Sequence, residues 1–164
     1  MPAKDHASTP AVAMLVRAGI AHDLHPYEHD PASELSYGLE AAAALGVEPA
    51  AVFKTLCVLA DGALTMALVP VSGSLDLKAV AKATGAKRAV MANPADAERA
   101  TGYVVGGISP LGGRKRLPAV VDDSALALER IYVSGGRRGL DISLAPADLV
   151  QLTGATTAPI GKGS

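Results

Sequence analysis

The chain has 164 residues, a net charge of −1, 49% hydrophobic but only 3% aromatic residues, and one cysteine, Cys57. That length fits one domain, 1–164, burying roughly two-thirds of the surface its unfolded chain exposes, around a core of Ala, Val, Leu and Ile. The composition argues against nucleic-acid clamping by global electrostatics, a sheet of base-stacking aromatics, an internal disulfide and a multi-cysteine metal cage.

Residues 1–8 read as a frayed tail with no signal-peptide segment, and no later run reaches the ~20 apolar residues of a membrane span, so a cytoplasmic protein is expected. Thr9 is a predicted N-cap with Pro10 at the first helical position, and Ala11, Val12, Leu15 and Val16 form an apolar stripe that stops at Gly19. Ile20 to Glu28 alternates as a strand and ends in the turn His29-Asp30-Pro31. His22, His25 and His29 lie here, but alternation sends His22 and His25 to opposite faces and no cysteine or His-x-x-x-His pair joins them; no metal is expected. Ser36 caps a helix over 37–45 that Gly46 stops, with a helical turn at Pro49.

Val52 to Ala60, Asp61-Gly62 and Ala63 to Val71 spell a β-hairpin. A third helix runs from Leu75 to Thr84, capped by Ser74 or Asp76, and a fourth from Pro94 to Ala100. Tyr103-Val104-Val105 reads as a buried strand entering a glycine-rich loop. Strands at 119–121, 131–134 and 140–144 and a helix at 146–152 follow, and the Gly/Thr/Ser-rich end, 155–164, is expected to be flexible. Without regular strand–helix alternation, the fold class is α/β (α+β), with a mixed, largely antiparallel sheet flanked by helices.

Lys54 is the anomaly of the hairpin: a lysine in a hydrophobic strand either snorkels at the strand end or faces a polar cavity, because an unpaired buried ammonium costs several kcal/mol. Cys57, three residues on, is expected on the opposite face and inert. In Thr101 to Pro118, bare glycine amides precede Arg114-Lys115-Arg116, which suits an acyl or phosphate-bearing ligand; the alternative is an ordinary turn before a solvated basic segment. Lys78, Lys82, Lys87, Arg88, Arg137 and Arg138 form further basic patches. The phosphate-loop, dinucleotide, zinc-protease and serine-hydrolase signatures are all missing.

Together, HPYEHD at 25–30, VFKTL at 52–56, PVSGSLDLKAVAKATGAK at 70–87, ATGYVVGGISPLG at 100–112 and IYVSGGRRGLDI at 131–142 resemble the YbaK/EbsC family. These are free-standing aminoacyl-tRNA deacylases related to the editing domain of bacterial prolyl-tRNA synthetases. The resemblance is nearest to the Cys-tRNA(Pro) type and runs from about Thr9 to Leu152. It implies a barrel-like sheet whose mouth accepts the 3′ end of mischarged tRNA(Pro), with prolyl-tRNA synthetase as transient partner and no cofactor or metal. Carried over by position, Lys54 and Gly106 are catalytic. Tyr27, Tyr37, Thr55, Gly107, Ile108, Ser109, Pro110, Ser134, Gly135 and Asp141 bind substrate. The segment 33–37 is a residue longer than the family pattern, and the 61–66 hairpin is short. The family chemistry implies attack by the substrate's own thiol, so that Cys57 is not required. The basic patches become weak acceptor-stem contacts. A deacylase for alanine or another small residue, or a non-catalytic tRNA- or protein-binding module, is the alternative.

Overall fold

The computed structural model describes residues 9–163. The tail reading of 1–8 lies outside these residues. In chain order the elements are α1 (Pro10–Ala18), β1 (His22–Pro26), α2 (Tyr37–Leu45), a 3-10 turn (Pro49–Ala51), β2 (Phe53–Ala60), β3 (Ala63–Pro70), β4 (Ser74–Leu75), α3 (Leu77–Thr84), β5 (Ala89–Met91) and α4 (Pro94–Thr101). After a long loop come β6 (Ala119–Asp122), a second 3-10 turn (Asp123–Ala127), β7 (Ile131–Arg137), β8 (Leu140–Leu144), α5 (Pro146–Thr153), β9 (Thr156–Ala158) and β10 (Gly161–Lys162).

The β2–β3 hairpin is the spine. It pairs from Phe53↔Pro70 to Ala60↔Ala63, and Asp61 (φ 47) with Gly62 (φ 83) makes the left-handed two-residue turn that matches strand twist. Around it forms a sheet of order β5-β2-β3-β6-β9, with β3–β6 and β6–β9 parallel. A second sheet, β1-β8-β7, is antiparallel throughout, as is the small β10–β4 pair. The expected mixed, largely antiparallel α/β architecture is therefore present. The sheet is not a closed barrel: β5 and β9 remain opposite edges, and a single bridge, Val52↔Tyr132, joins the two larger sheets.

The five-stranded sheet is buried on both faces, which explains the near-continuous apolar run of β2 and β3. One face packs Phe53, Leu68 and Val121 against Leu15, Ile131, Ile142 and Leu149; the other packs Val58, Val69 and Val120 against Val80 of α3 and Ile160. Helix ends follow their signals. The Thr9 hydroxyl accepts from Val12 N–H at 3.2 Å, Asp76 accepts from Lys78 and Ala79 N–H, and α1, α2, α3, α4 and α5 all end on a left-handed glycine.

Four expectations are corrected. Val16 is 64% exposed and off the buried stripe of α1. The third helix begins at Leu77, because Ser74 and Leu75 pair with Lys162 and Gly161 as β4. Within the last segment, Thr156–Ala158 and Gly161–Lys162 form β9 and β10, with Ile160 buried and its N–H, like that of Gly161, donating to the Asp122 carboxylate at 2.9 and 2.8 Å. Tyr103-Val104-Val105 is not a strand: a turn closes with Gly107 N–H donating to Val104 O at 2.8 Å, and Gly106 (φ 90) takes the positive-φ third position that a type II turn reserves for glycine.

Candidate active site

The hairpin leaves one edge of β2 open. β5 pairs only with Val58 to Ala60, so between the Val52–Tyr132 bridge and the Ala92 N–H bond to Cys57 O no strand lies beside residues 53–56 among the described residues. A cavity of about 300 Å³ opens along this edge. It is walled by residues 52–57 of β2, the start of α2, the Met91 to Ala97 corner, the Val105–Ile108 loop and Tyr27, Ser134 and Asp141 of the second sheet.

Lys54 lines this cavity, partly buried, with its ammonium donating to Gly73 O at 3.2 Å and no carboxylate paired with it among the described residues. The hydroxyl of the next residue, Thr55, is buried with no hydrogen-bond partner among the described residues. Cys57, placed by strand alternation on the opposite face, lines the same cavity, because an open strand edge is reached from both sides of the pleat. Burial pushes its thiol pKa up, which keeps it protonated near neutral pH and a poor nucleophile.

Asp141 sits opposite on β8, flanked in register by His25 of β1 and Ser134 of β7. It is 5% exposed, its carboxylate has no hydrogen bond among the described residues, and burial pushes its pKa up to about 7. Tyr27 is half-buried; burial, followed by the nearby Asp141 charge, raises its phenol pKa. The Ser134 hydroxyl accepts from Gly136 N–H at 3.2 Å, beside the β-bulge between Ser134 and Arg137.

The loop is clasped from outside. Val105 N–H donates to the Glu98 carboxylate at 2.8 Å, Arg138 Nε donates to Val105 O at 2.9 Å, and the Arg138 guanidinium lies 4.8 Å from the Tyr37 ring centre. A Cβ on Gly106 would meet the Tyr37 ring at 2.8 Å, and φ is already 90°. Gly106→Ala is accordingly expected to cost about 1–2 kcal/mol from the backbone alone, plus displacement of Tyr37. An unchanged denaturant midpoint would show that the turn is not held as described.

Not every motif residue meets here. Lys54, Thr55, Gly106, Ile108, Tyr27, Tyr37, Ser134 and Asp141 line the cavity. Gly107 instead backs onto the Arg137–Arg138 main chain and Gly135 onto Leu140 and Ile142. Ser109 and Pro110 line a second cavity, about 210 Å³, with Arg17, Lys115 and Arg116. Arg114 and Arg116 stand beside Gly102 and Gly154, the C-caps of α4 and α5, where a cation offsets the helix dipole. Sequence reasoning missed the Met91, Ala92, Pro94 and Ala97 wall and Ser36, Gly38 and Ala41. The histidines are engaged locally: His22 with Ile20 O, His25 with Ser143 and His29 with Glu40.

This α/β domain thus brings a lysine, a buried carboxylate and a glycine turn to the lining of one cavity at an open strand edge. The profile of the aminoacyl-tRNA editing domain matches residues 35–152. A protein of Enterococcus faecalis (strain ATCC 700802 / V583), provisionally named Cys-tRNA(Pro)/Cys-tRNA(Cys) deacylase EbsC, is 39% identical over 120 residues, covering 73% of each chain. Among solved structures, a hypothetical protein, APE2540, superposes with a TM-score of 0.83 at 27% identity over 93% of this chain and 99% of its own. A candidate trans-editing enzyme for prolyl-tRNA synthetase gives 0.82 at 25% identity over 94% and 96%. The chain belongs to the aminoacyl-tRNA editing domain family and is an aminoacyl-tRNA deacylase. No helix among the described residues is long and apolar enough to cross a membrane.

Proposed function

We propose that this chain hydrolyses the aminoacyl ester of mischarged Cys-tRNA(Pro). The observation that carries the reading is the meeting of Lys54, Asp141 and the Gly106 turn in one cavity of a chain belonging to an editing family. An aminoacyl ester is already activated, so positioning and charge stabilisation suffice. The substrate's α-ammonium faces the unpartnered Asp141 carboxylate, which its charge holds ionised. Lys54 leaves Gly73 O for the ester oxygen or the terminal phosphate, and Gly106 and Ile108 of the loop pack on the acyl group. The substrate thiol attacks the ester carbon: the C–S bond forms, the bond to the ribose oxygen breaks, and the thiol proton passes to that oxygen. Water then opens the cyclic thioester to free cysteine. Cys57 has no part in these steps.

The net charge of −1 is a weak basis for selecting tRNA alone, so a partner that holds the tRNA, prolyl-tRNA synthetase, completes the reading. The test is deacylation of Cys-, Ala-, Ser- and Pro-tRNA(Pro). Cysteine should be released fastest and proline spared. Equal release of serine and cysteine would remove thiol assistance, since an alcohol is the weaker nucleophile. The small walls at Ala41, Ala92 and Ala97 also admit an alanine methyl, so dominant Ala-tRNA hydrolysis would mark the sibling specificity. A methylene or two shifts discrimination by only about 1–3 kcal/mol.

A further inference from the structure

Eight large hydrophobic side chains are exposed among the described residues; three of them line one cavity mouth and three more are their near neighbours in sequence. Tyr37, Met91 and Val105 line the mouth of the cavity, and Leu35, Val90 and Val104 lie within two residues of them along the chain. Val104 is 52% and Met91 49% exposed. Apolar surface concentrated around an opening, rather than scattered singly, marks a binding surface.

The occupant follows from the geometry of entry, and this step rests on the proposed function. A cavity of about 300 Å³ is at the lower limit for a ligand site, enough for an aminoacyl group and part of its nucleoside. The chain to which that nucleoside is joined must leave through the mouth and cross the rim. We propose that this rim is a platform for the unpaired nucleotides that precede the terminal adenosine of the substrate. Base faces are flat and apolar, and they settle on such side chains without regard to sequence. The Arg138 guanidinium over Tyr37 extends the platform with a flat cation, and among the described residues only its Nε is engaged, on Val105 O. The acids of α4 do not oppose a polyanion freely: Asp96 pairs with Arg99, and Glu98 accepts from Val105 N–H.

The test uses the full chain, wild type and the double variant Leu35→Ser/Val104→Ser; neither residue lines the cavity. Binding of the trinucleotide CCA and of adenosine is measured by competition, beside deacylation of Cys-tRNA(Pro) and of cysteinyl-adenosine. The variant is expected to bind CCA about five- to tenfold more weakly and adenosine unchanged, with KM for the tRNA raised by the same factor and kcat/KM for cysteinyl-adenosine unaltered. Wild-type protein that binds CCA no better than adenosine, or a variant that binds CCA like the wild type, overturns the platform. So does an effect that emerges only with a partner synthetase present, which would assign the rim to a protein. Rim-dependent CCA binding without any deacylation would keep the platform and remove the proposed reaction.

Discussion

Lys54→Ala is expected to lower kcat/KM for Cys-tRNA(Pro) by about 10²–10³-fold, the usual cost of removing one preorganised group that stabilises developing charge. The fold has little reason to respond. Among the described residues the side chain makes one hydrogen bond, to Gly73 O, and the strand that carries it is paired with β3 along its whole length. The loss should therefore appear in kcat/KM while the melting temperature stays put. Lys54→Arg keeps the charge but replaces a compact ammonium with a broad fork, and a partial activity is expected. Cys57→Ala is the control, since its thiol shares the cavity but is held protonated by burial. An active Lys54→Ala, or a folded but dead Cys57→Ala, would end the proposed division of roles.

Asp141→Asn should move stability and activity in opposite directions. Burial raises this carboxyl from its ordinary value of 3.8 to about 7. Between those values the folded chain carries a proton that the unfolded chain has released, so stability falls as pH rises through the window, and above about pH 7 the loss is complete. A shift of that size corresponds to a loss on the order of 4 kcal/mol. Asparagine removes the ionisation at almost the same volume. The variant is therefore expected to melt roughly 5–10 °C higher at pH 8, with little difference near pH 4, and to lose its grip on the substrate's α-ammonium. Melting curves against pH, beside kcat/KM, read both halves. A variant less stable than wild type at pH 8 would mean that the carboxylate is satisfied in a way the cavity does not display.

The contrast between what the chain spells out and what it conceals is physical. Helix ends were legible because Thr9, Asp76 and the terminal glycines act within one turn, and the Asp61-Gly62 hairpin because its turn fixes its own register. β5, β9 and β10 were not: each is two or three residues long and exists only because a neighbouring strand offers an edge. Asp141 was singled out through family likeness, since nothing in Leu140 to Leu144 reveals a carboxyl that lines a cavity while 5% exposed. The contiguous motif from Gly106 to Pro110 is divided by its own backbone, Gly106 and Ile108 serving one cavity and Ser109 and Pro110 the other. Spelling in one dimension does not distribute side chains in three.

The unpaired flank of β2 makes part of the cavity wall out of main chain. Amide and carbonyl groups persist through almost any substitution, so the main-chain part of this lip survives changes of side chain around Lys54 at residues 53, 55 and 56. Alanine scanning passes over it, and proline is the one replacement that erases a donor. An inhibitor bearing an extended, peptide-like backbone could dock there as a borrowed strand.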